Sequence, residues 1–589
     1  MLLFRFVIII LFSINICNVA ISDTVTVSED KTQSSDTSVQ QNIDTDDVTL
    51  TVSGNAQVDD DAKAVLVDAG VDGASVIVES GSTITTTSGD NGILSLNTTN
   101  LSVSNSGTIS TNAYKAIDVY RSSDASITNE SGATISAVGN TLRIGGSSAD
   151  NSTGITITNS GKIFSTSAGV KSSVIFGNTN NSGTTITNNA GAEIYSGGDI
   201  STIKVGSTAT ITNRGSIKNN TSPSDVAIDL LGNNNTVKLE EGSILVGKIS
   251  SASGKTGNTL KLNLGVGQGY FYETSGDLTL QDLDGNQVVK GSAGSVGQGG
   301  SETLDELLSY KSMNLRQFFN NYNKQNIEND WGTAYASNLK RDGHASNLAI
   351  EYDLINIGVN LISQMKKASF VITFEGGSQD FVKDHKIKYK NITSGIYLPQ
   401  KNNSYFNLDA FILGGITLKQ SERTILTNTT TSGKLDIDGD YETYEIHTGI
   451  RKNNLSIIPD LGLAASYSFT PNYEEAKYFS WNDRHIGNIS IFFSDDYNLI
   501  NNNSSNLFLG WTLDFRNLIG EKKQAYLLNG TKATYNQDND LTKEVSLLAN
   551  IGYKKKFSNN SDFSISLDAK DTNQLVKSIG ANISLSSRF

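Results

Sequence analysis

The chain has 589 residues, a formal net charge of −14 and one cysteine. This length exceeds one ordinary domain, so we expect at least two. Most of the negative charge lies in residues 23–300, which argues against binding of nucleic acid or anionic lipid by bulk electrostatics. All three Trp and all four His lie after residue 300. The two parts of the chain therefore differ in composition as well as in charge.

Residues 1–22 have the features of a secretory signal peptide. Arg5 precedes an apolar run that is too short to span a bilayer stably. Ala20 and Ser22 occupy the small-residue positions before a cleavage after Ser22. The only cysteine, Cys17, lies inside this leader, so a cleaved chain has no thiol from which to form a disulfide. We therefore predict an exported protein.

A short pattern recurs through the first half of the chain. Each copy starts with Ile or Val, followed by Thr or Ser and then by Asn. A Gly comes two or three residues after the Asn, and another Ile follows shortly after the Gly. Successive asparagines of the pattern are separated by intervals in the twenties or close to thirty, which indicates stacked supersecondary units. The clearest copies are Val103–Ile109, Ile127–Ile135, Ile157–Ile163, Ile186–Ile194 and Ile211–Ile217.

The repeat predicts a right-handed parallel β-helix. Ile and Val alternate with polar residues, so we expect Ile and Val to point inward and Thr, Ser and Asn to point outward. Gly would supply positive φ at each corner, and the asparagines could stack into a ladder along the solenoid. An antiparallel sandwich is the alternative, although it would not require such repetition. Residues 24–47 lack aromatic residues, and we expect them to form an irregular or frayed cap.

A glycine-rich linker and a helix are expected over residues 291–326. Thr303 and Glu306 have the spacing of a helix capping box. Leu304, Leu308, Leu315, Phe318 and Tyr322 follow at helical spacing, interrupted by Lys311. A helix over 303–326 would be roughly 36 Å long, comparable to the hydrocarbon thickness of a membrane. Within it, Asn320-Asn321 is a candidate for self-cleavage by Asn cyclisation, which a shortened surface fragment would reveal.

From Trp331 onward the hydrophobic period is two. Segments of about ten residues alternate between apolar and polar positions and are separated by polar loops, which predicts an antiparallel transmembrane β-barrel of roughly twelve strands. Strands are expected to start near 331, 348, 368, 387, 405, 441, 455, 485, 507, 545, 563 and 579. Aromatic residues near strand ends support a membrane location: Trp331, Tyr335, Tyr397, Tyr467 and Phe557.

The last segment has the character of a barrel-assembly signal. Ile579, Ala581, Ile583 and Leu585 alternate with polar residues, and the chain stops at Phe589. Ser587 stands where an apolar or aromatic residue is usual. We assign the signal to Ile583, Leu585 and Phe589.

With these parts in this order, the whole chain resembles the classical monomeric autotransporters of type V secretion. The resemblance implies an all-β protein with a signal peptide (1–22), a β-helix passenger (23–290), a linker and pore helix (291–326) and an autotransporter barrel (327–589). It also implies that the barrel is inserted in the outer membrane by the barrel-assembly machinery. The helix would lie in the barrel lumen and the passenger at the cell surface.

Chemistry in the passenger is restricted by composition. Residues 23–300 contain no His and no Cys, which excludes a Ser-His-Asp triad, a Cys-His nucleophile and a histidine-ligated zinc site. Asp59-Asp60-Asp61 is a calcium candidate without the spaced glycines of a calcium loop, and a solvated turn explains it better. We predict no catalytic residue, no bound metal and no cofactor.

Three functions are compatible with the sequence. The first is an outer-membrane adhesin or binding protein whose partners are membrane lipid, the assembly machinery and an unidentified host or environmental surface ligand. The second is a passenger enzyme that acts on polysaccharide through carboxylates. The third is a barrel that acts mainly as a porin with the solenoid as a plug. The lack of His and Cys favours binding over catalysis.

Overall fold

The computed structural model describes residues 24–587 except 61, 88–90, 113–114, 147–150, 167–172, 199, 220–221, 287, 289–292, 296–303, 325–329, 344–350, 366, 401–407, 453–458, 476–478, 503, 522, 529–530, 537–541 and 559–560. The chain forms two compact units. The first comprises Met1–Leu264, Glu273–Gln281 and Asn428–Gly433, and the second comprises the remaining residues.

The first unit is a parallel β-solenoid, as predicted from the repeat. Each coil contributes strands to three parallel sheets, here named A, B and C, which contain 11, 11 and 8 strands. The repeated copies stand in register, so that Ile127, Ile157, Ile186 and Ile211 stack in one column of sheet B. These side chains are buried. A single coil would leave their apolar surface in water, and stacking of the coils removes it.

The strands of the solenoid have the following bounds. Sheet A contains β1 (Thr24–Val27), β3 (Gln40–Ile43), β6 (Lys63–Val67), β9 (Asn91–Leu96), β12 (Lys115–Tyr120), β15 (Leu142–Ile144), β18 (Ile175–Gly177), β21 (Ile203–Val205), β24 (Val226–Leu230), β27 (Lys248–Ser251) and β30 (Thr274–Ser275). Sheet B contains β2 (Lys31–Gln33), β4 (Thr49–Val52), β7 (Ser75–Val78), β10 (Ser102–Asn105), β13 (Ser126–Asn129), β16 (Thr156–Asn159), β19 (Thr185–Asn188), β22 (Thr210–Asn213), β25 (Thr236–Glu240), β28 (Thr259–Asn263) and β31 (Thr279–Asp282). Sheet C contains β5 (Gln57–Asp60), β8 (Thr83–Thr86), β11 (Thr108–Thr111), β14 (Thr134–Ala137), β17 (Lys162–Ser165), β20 (Glu193–Ser196), β23 (Ser216–Asn219) and β26 (Ile244–Val246).

The repeat asparagines form the expected ladder, but they point inward, so the prediction that they face solvent is wrong. Asn105, Asn129, Asn159, Asn188 and Asn213 are fully buried. The Nδ2 of each of the first four donates to the Oδ1 of the next asparagine, over 2.8–2.9 Å. A buried amide is stable only when both its donor and its acceptor are satisfied, and the ladder achieves this coil by coil.

The repeat glycines fall into two classes. Gly132 and Gly191, three residues after their asparagine, have φ of 83° and 79°, as the corner prediction requires. Gly107 and Gly161 lie two residues after their asparagine, and their φ is not positive. A Cβ at either position would overlap carbonyl oxygens of the preceding coil. In these copies glycine is needed for close backbone approach rather than for its conformational freedom.

The solenoid begins earlier than expected. β1, β2 and β3 all lie within residues 24–47, where we expected an irregular cap, and each pairs with the following coil. Neighbouring coils supply the hydrogen bonds that make this polar segment ordered.

In its described residues, the second unit is a closed antiparallel barrel of twelve strands, with one helix. The barrel is closed by pairing of its first strand, Asp330–Arg341, with its last, Val576–Ser587. The elements are α1 (Leu304–Lys324), β33 (Asp330–Arg341), β34 (Tyr352–Gln364), β35 (Ser369–Phe381), β36 (His385–Leu398), β37 (Asp409–Thr427), β38 (Lys434–Lys452), β39 (Asp460–Thr470), β42 (Arg484–Asn502), β43 (Ser505–Gly520), β46 (Lys543–Ser558), β47 (Ser561–Thr572) and β48 (Val576–Ser587).

Side chains alternate across the barrel wall as predicted. Along β39, Leu461, Leu463 and Tyr467 are exposed on the outer surface, whereas Ser466 and Ser468 are buried inside. An apolar outer surface with a polar interior is the arrangement of outer-membrane barrels. Two of the five strand-end aromatics, Tyr467 and Phe557, are exposed on this outer surface.

The other three strand-end aromatics do not form a lipid-facing girdle. Trp331 and Tyr397 are buried and pack against α1, and Tyr335 donates a hydrogen bond to the inward Glu375. Alternation alone could not distinguish a wall facing lipid from a wall facing an internal helix, since the inward surface beside the end of the helix is also apolar.

Short strands extend the barrel at one rim. β29 (Tyr270–Tyr272) pairs with β37 and with β32 (Ala293–Ser295), so ordered structure lies inside the segment predicted to be a flexible linker. A separate sheet contains β40 (Tyr473–Glu475), β41 (Phe479–Trp481), β44 (Lys523–Leu528) and β45 (Thr531–Asn536). A small apolar cluster stabilises this rim: Phe271, Ile425, Ile437, Phe479 and Trp481.

Candidate functional site: the helix inside the barrel

The candidate site is the barrel lumen with α1 inside it. From Glu306 to Tyr322 every helix side chain is buried or partly buried, on all faces of the helix. A helix on a protein surface would keep one face exposed. The predicted apolar stripe is therefore only part of the contact surface, because polar wall residues cover the remaining faces.

The first turn of α1 is attached to β33 and β34. Glu306 forms an ion pair with Arg341, and the hydroxyl of Tyr352 donates to Glu306 Oε2 over 3.1 Å. Both Glu306 and Arg341 are buried. Thr303, the other half of the predicted capping box, lies outside the described residues.

Lys311, which interrupts the apolar pattern, has the most extensive polar contacts. Its Nζ lies 2.8 Å from Glu445 Oε1 and donates to Thr417 Oγ1 over 2.7 Å. The Thr417 hydroxyl in turn donates to Glu445 over 2.8 Å, and Asn391 donates to Thr417. Since Lys311 and Glu445 are each about 5% exposed, neither charge could be accommodated there without the other.

A third ion pair lies further along the helix. Arg316 donates to Asp514 Oδ2 over 2.6 Å, and its guanidinium lies 4.6 Å from the centre of the Phe492 ring. Glu306, Lys311 and Arg316 thus contact different strands, β33, β38 and β43. Attachment to separate parts of the wall restricts both rotation and sliding of the helix.

The end of the helix is held by aromatic packing. Phe319 stacks on Tyr397 with ring centres 4.4 Å apart, and Phe318 stacks on Trp331 at 4.8 Å. Tyr322 packs edge-on to Tyr397. Stacked and edge-on rings add stabilisation beyond the burial of their area.

These contacts define the direction of the helix. Trp331, beside the end of α1, lies next to the first and last residues of the barrel, because Asp330 pairs with Ser587. Leu307, near its start, packs with Leu339 and Val576 at the opposite rim. The helix therefore begins at the rim opposite to the two ends of the barrel.

The predicted site residues are only partly covered by the structure. Ile583 and Leu585 are exposed on the outer face of β48, opposite Ala334 and Gly332 of β33. Their role in assembly stays a prediction. Ala20, Ser22 and Phe589 lie outside the described residues.

Asn320 and Asn321 lie near the end of the helix and are partly buried. Cleavage between them stays a hypothesis. Among the described residues there is no group of three or more His, Cys, Asp or Glu side chains placed to hold a metal ion. In the described part of the chain, no helix has the length and apolar character needed to cross a membrane.

Sequence reasoning located α1 but missed its charged contacts. The usable signal was Lys311 and Arg316 inside an apolar helical pattern, next to strands with acidic residues at inward positions. Glu445 and Asp514 occupy such positions, but nothing in their spacing shows which cation each would meet.

No protein-family model matches the chain, and no curated protein matches its sequence. Three solved barrels are similar to it. The translocator domain of autotransporter NalP from Neisseria meningitidis is 12% identical, covers 49% of this chain and 99% of its own, and has a TM-score of 0.33. The beta domain of the Bordetella autotransporter BrkA is 8% identical, covers 44% of this chain and 99% of its own, and has a TM-score of 0.29. The transport unit of the autotransporter AIDA-I from Escherichia coli is 8% identical, covers 45% of this chain and 91% of its own, and has a TM-score of 0.29.

The described parts of the chain follow in the order expected from the resemblance stated for the sequence. A parallel solenoid, a lumenal helix and a closed barrel of twelve strands follow in the predicted order. The barrel, with its apolar outer surface and polar interior, is of the outer-membrane type.

Proposed function

We propose that this protein is an outer-membrane autotransporter whose barrel exports the solenoid to the cell surface and anchors it there, where the solenoid binds a ligand. The observation that carries the proposal is the direction of α1 in the lumen. Because the helix starts at the rim opposite to the barrel ends, a segment exported through the lumen ahead of the helix would emerge at that rim. The rim also carries the additional strands β40, β41, β44 and β45, as expected of the side with long extracellular connections.

A porin role is less compatible with the lumen. The helix occupies the lumen and is held by three buried ion pairs, whereas an open channel requires a continuous aqueous path. Export therefore explains the helix better than conduction does.

Binding suits the passenger better than catalysis. At the calcium candidate, Asp60 Oδ1 accepts hydrogen bonds from the backbone N–H groups of Ala62 and Lys63, which supports a structural role for this carboxylate in a turn. The outward positions of sheet B form a neutral hydroxyl surface over five coils, here called the hydroxyl face: Ser102, Ser104, Ser126, Thr128, Thr156, Thr158, Thr185, Thr187, Thr210 and Thr212. Such a surface offers many hydrogen bonds without charge.

Protease treatment of intact cells tests export. If the proposal is correct, an external protease removes the solenoid while the barrel stays protected. Cells with permeabilised outer membranes provide the control for protease activity. Survival of the solenoid on intact cells, combined with its digestion after permeabilisation, would contradict surface display.

Binding is tested separately with cells that display the full chain on glycan and host-protein arrays. Thr158→Lys with Thr187→Lys places two charges on the hydroxyl face. The matched control, Thr85→Lys with Ser110→Lys, places them on sheet C. We expect only the first pair to abolish binding. A displayed protein that binds nothing, or an equal loss in both variants, would argue against this role of the hydroxyl face.

A further inference from the structure

The outer wall of the barrel contains a recess of about 1230 Å³ that the export function does not use. It spans strands β34 to β38. Its lining combines apolar side chains with both cationic and anionic ones, including Ile357, Lys390, Leu418 and Glu442. A recess with this mixed chemistry suits an amphipathic ligand.

Strand register places the key side chains in one row. Ile357 pairs with Gly376, Gly376 with Lys390, Lys390 with Leu418, and Leu418 with Glu442. Lys390 and Glu442 are thus separated by one strand, or roughly 10 Å at the usual strand spacing. The row has a cation on one side, an anion on the other and Leu418 between them.

The neighbouring lysines of β36 are already neutralised. Lys386 lies 2.8 Å from Asp380, and Lys388 lies 2.5 Å from Glu422. Lys390, by contrast, has no carboxylate within ion-pair distance among the described residues.

On the far side of the row, the Glu442 carboxylate accepts a hydrogen bond from the Tyr444 hydroxyl. Among the described residues, no cation lies within ion-pair distance of it. The row therefore presents one ammonium group and one carboxylate, and in the described residues neither is in an ion pair.

Immediately beside this row lies the apolar outer surface. Phe374 pairs with Ile392, and Ile392 with Ile416, two residues further along each strand. Phe374 is 45% exposed and Ile392 is 42% exposed, as expected for side chains that face lipid. On β35 to β38 the charged row thus stands where the lipid-facing surface ends, which is the depth of lipid headgroups.

We propose that this recess binds a lipid headgroup that carries phosphoethanolamine, in the leaflet beside the rim that carries β40 and β41. The phosphate binds Lys390, the primary ammonium binds Glu442, and the acyl chains lie over Leu418 and the apolar surface beside it. A headgroup with both charges is complementary to the row, whereas a headgroup with only a phosphate leaves Glu442 unmatched. This site requires that the barrel lies in a membrane, and it is independent of the ligand of the solenoid.

Gly376 allows the recess to be filled without disturbing the wall. A Cβ at this position would meet only the carbonyl oxygen of Tyr389, at an ordinary contact distance of 3.6 Å. We therefore expect Gly376→Leu to fold and to block the recess while retaining both charges.

The test measures lipids that stay bound to the purified full chain in detergent, by native mass spectrometry. Phosphatidylethanolamine and phosphatidylglycerol are added at equal concentration, and inorganic phosphate is a separate arm. We expect about threefold more bound phosphatidylethanolamine, a preference typical of one exposed ion pair. Glu442→Gln should reduce this ratio to about one, because it removes the partner of the ammonium. Lys390→Gln should instead lower the retention of both lipids about threefold, because both carry the phosphate.

The matched control removes two exposed lysines elsewhere on the outer wall, Lys340→Gln with Lys577→Gln, and should leave the preference unchanged. Heat-modifiable migration of each variant shows that the barrel is folded, independently of export. Equal retention of both lipids by the original chain would overturn the proposal. Loss of the preference in the control, an unchanged preference in Gly376→Leu, or equal competition by inorganic phosphate would do the same.

Discussion

Asn159 Nδ2 donates a 2.9 Å hydrogen bond to Oδ1 of Asn188 in the next coil, and both side chains are fully buried. Asn159 Oδ1 meanwhile accepts from Asn129 and from the backbone N–H of Gly161. One amide thus joins three successive coils. The ladder is a continuous polar column that runs beside the buried Ile and Val columns of the solenoid.

Substitution of Asn159 tests the contribution of this column. Asn159→Ala leaves the buried Oδ1 of Asn188 without its donor and removes the donor to the carbonyl oxygen of Glu193, whereas the Asn129 amide keeps its backbone acceptors. We expect the free energy of unfolding of the solenoid to fall by about 2 kcal/mol, the cost of unsatisfied buried groups. Urea unfolding of the full chain measures it. The exposed Asn151→Ala is the control, and equal destabilisation of both variants would show that the ladder contributes nothing specific.

The two glycine classes predict unequal effects of alanine. Gly161→Ala should cost about 3 kcal/mol, since its Cβ overlaps backbone carbonyls that cannot move alone. Gly132→Ala meets no atom within 4 Å and should cost about 1 kcal/mol, for its left-handed φ. Urea midpoints of the two variants provide the comparison. A larger effect at Gly132 would contradict the assignment.

Removal of Lys311 should destabilise the plugged barrel. Lys311→Met leaves Glu445 as a buried charge without its main partner, which typically costs about 3–5 kcal/mol. We expect a lower temperature for the heat-modifiable transition and a higher ion conductance in planar bilayers. Adding Glu445→Gln should restore part of the loss. Lys340→Met on the outer wall is the control, and conductance equal to the original chain in Lys311→Met would contradict a helix held by this pair.

Acid should weaken one corner of the solenoid. Hydrogen bonds from the side chains of Thr99 and Asn100 lower the pKa of Asp72 from its usual 3.8. A carboxyl whose pKa is lower in the folded state stabilises the fold above the unfolded pKa, and this stabilisation is lost as the pH falls through the folded value. Asp72→Asn should therefore lower the urea midpoint at pH 6, with a smaller difference at pH 3. Thr99→Val should reduce the same pH dependence. A difference that grows on acidification would refute this reasoning.

Local periodicity was sufficient for the main elements. The Asn-Gly repeat predicts stacked coils because one coil cannot bury Ile127 or Ile157 by itself. Period-two alternation predicts all twelve barrel strands, since each face of a membrane wall meets one medium. The sequence shows that Lys311 interrupts the apolar pattern of the helix, but it does not show that Lys311 forms an ion pair inside the barrel.

Long-range geometry decided the rest. Whether Asn159 points inward depends on an amide acceptor in the next coil, which only stacking supplies. Whether Trp331 and Tyr397 face lipid or the lumen depends on a helix that fills the barrel. The pairing of Lys311 with Glu445 depends on barrel closure and on the direction of the helix. Sequence periodicity determines which side of a strand or helix is apolar, but only the tertiary structure determines what each side contacts, because those partners come from distant segments of the chain.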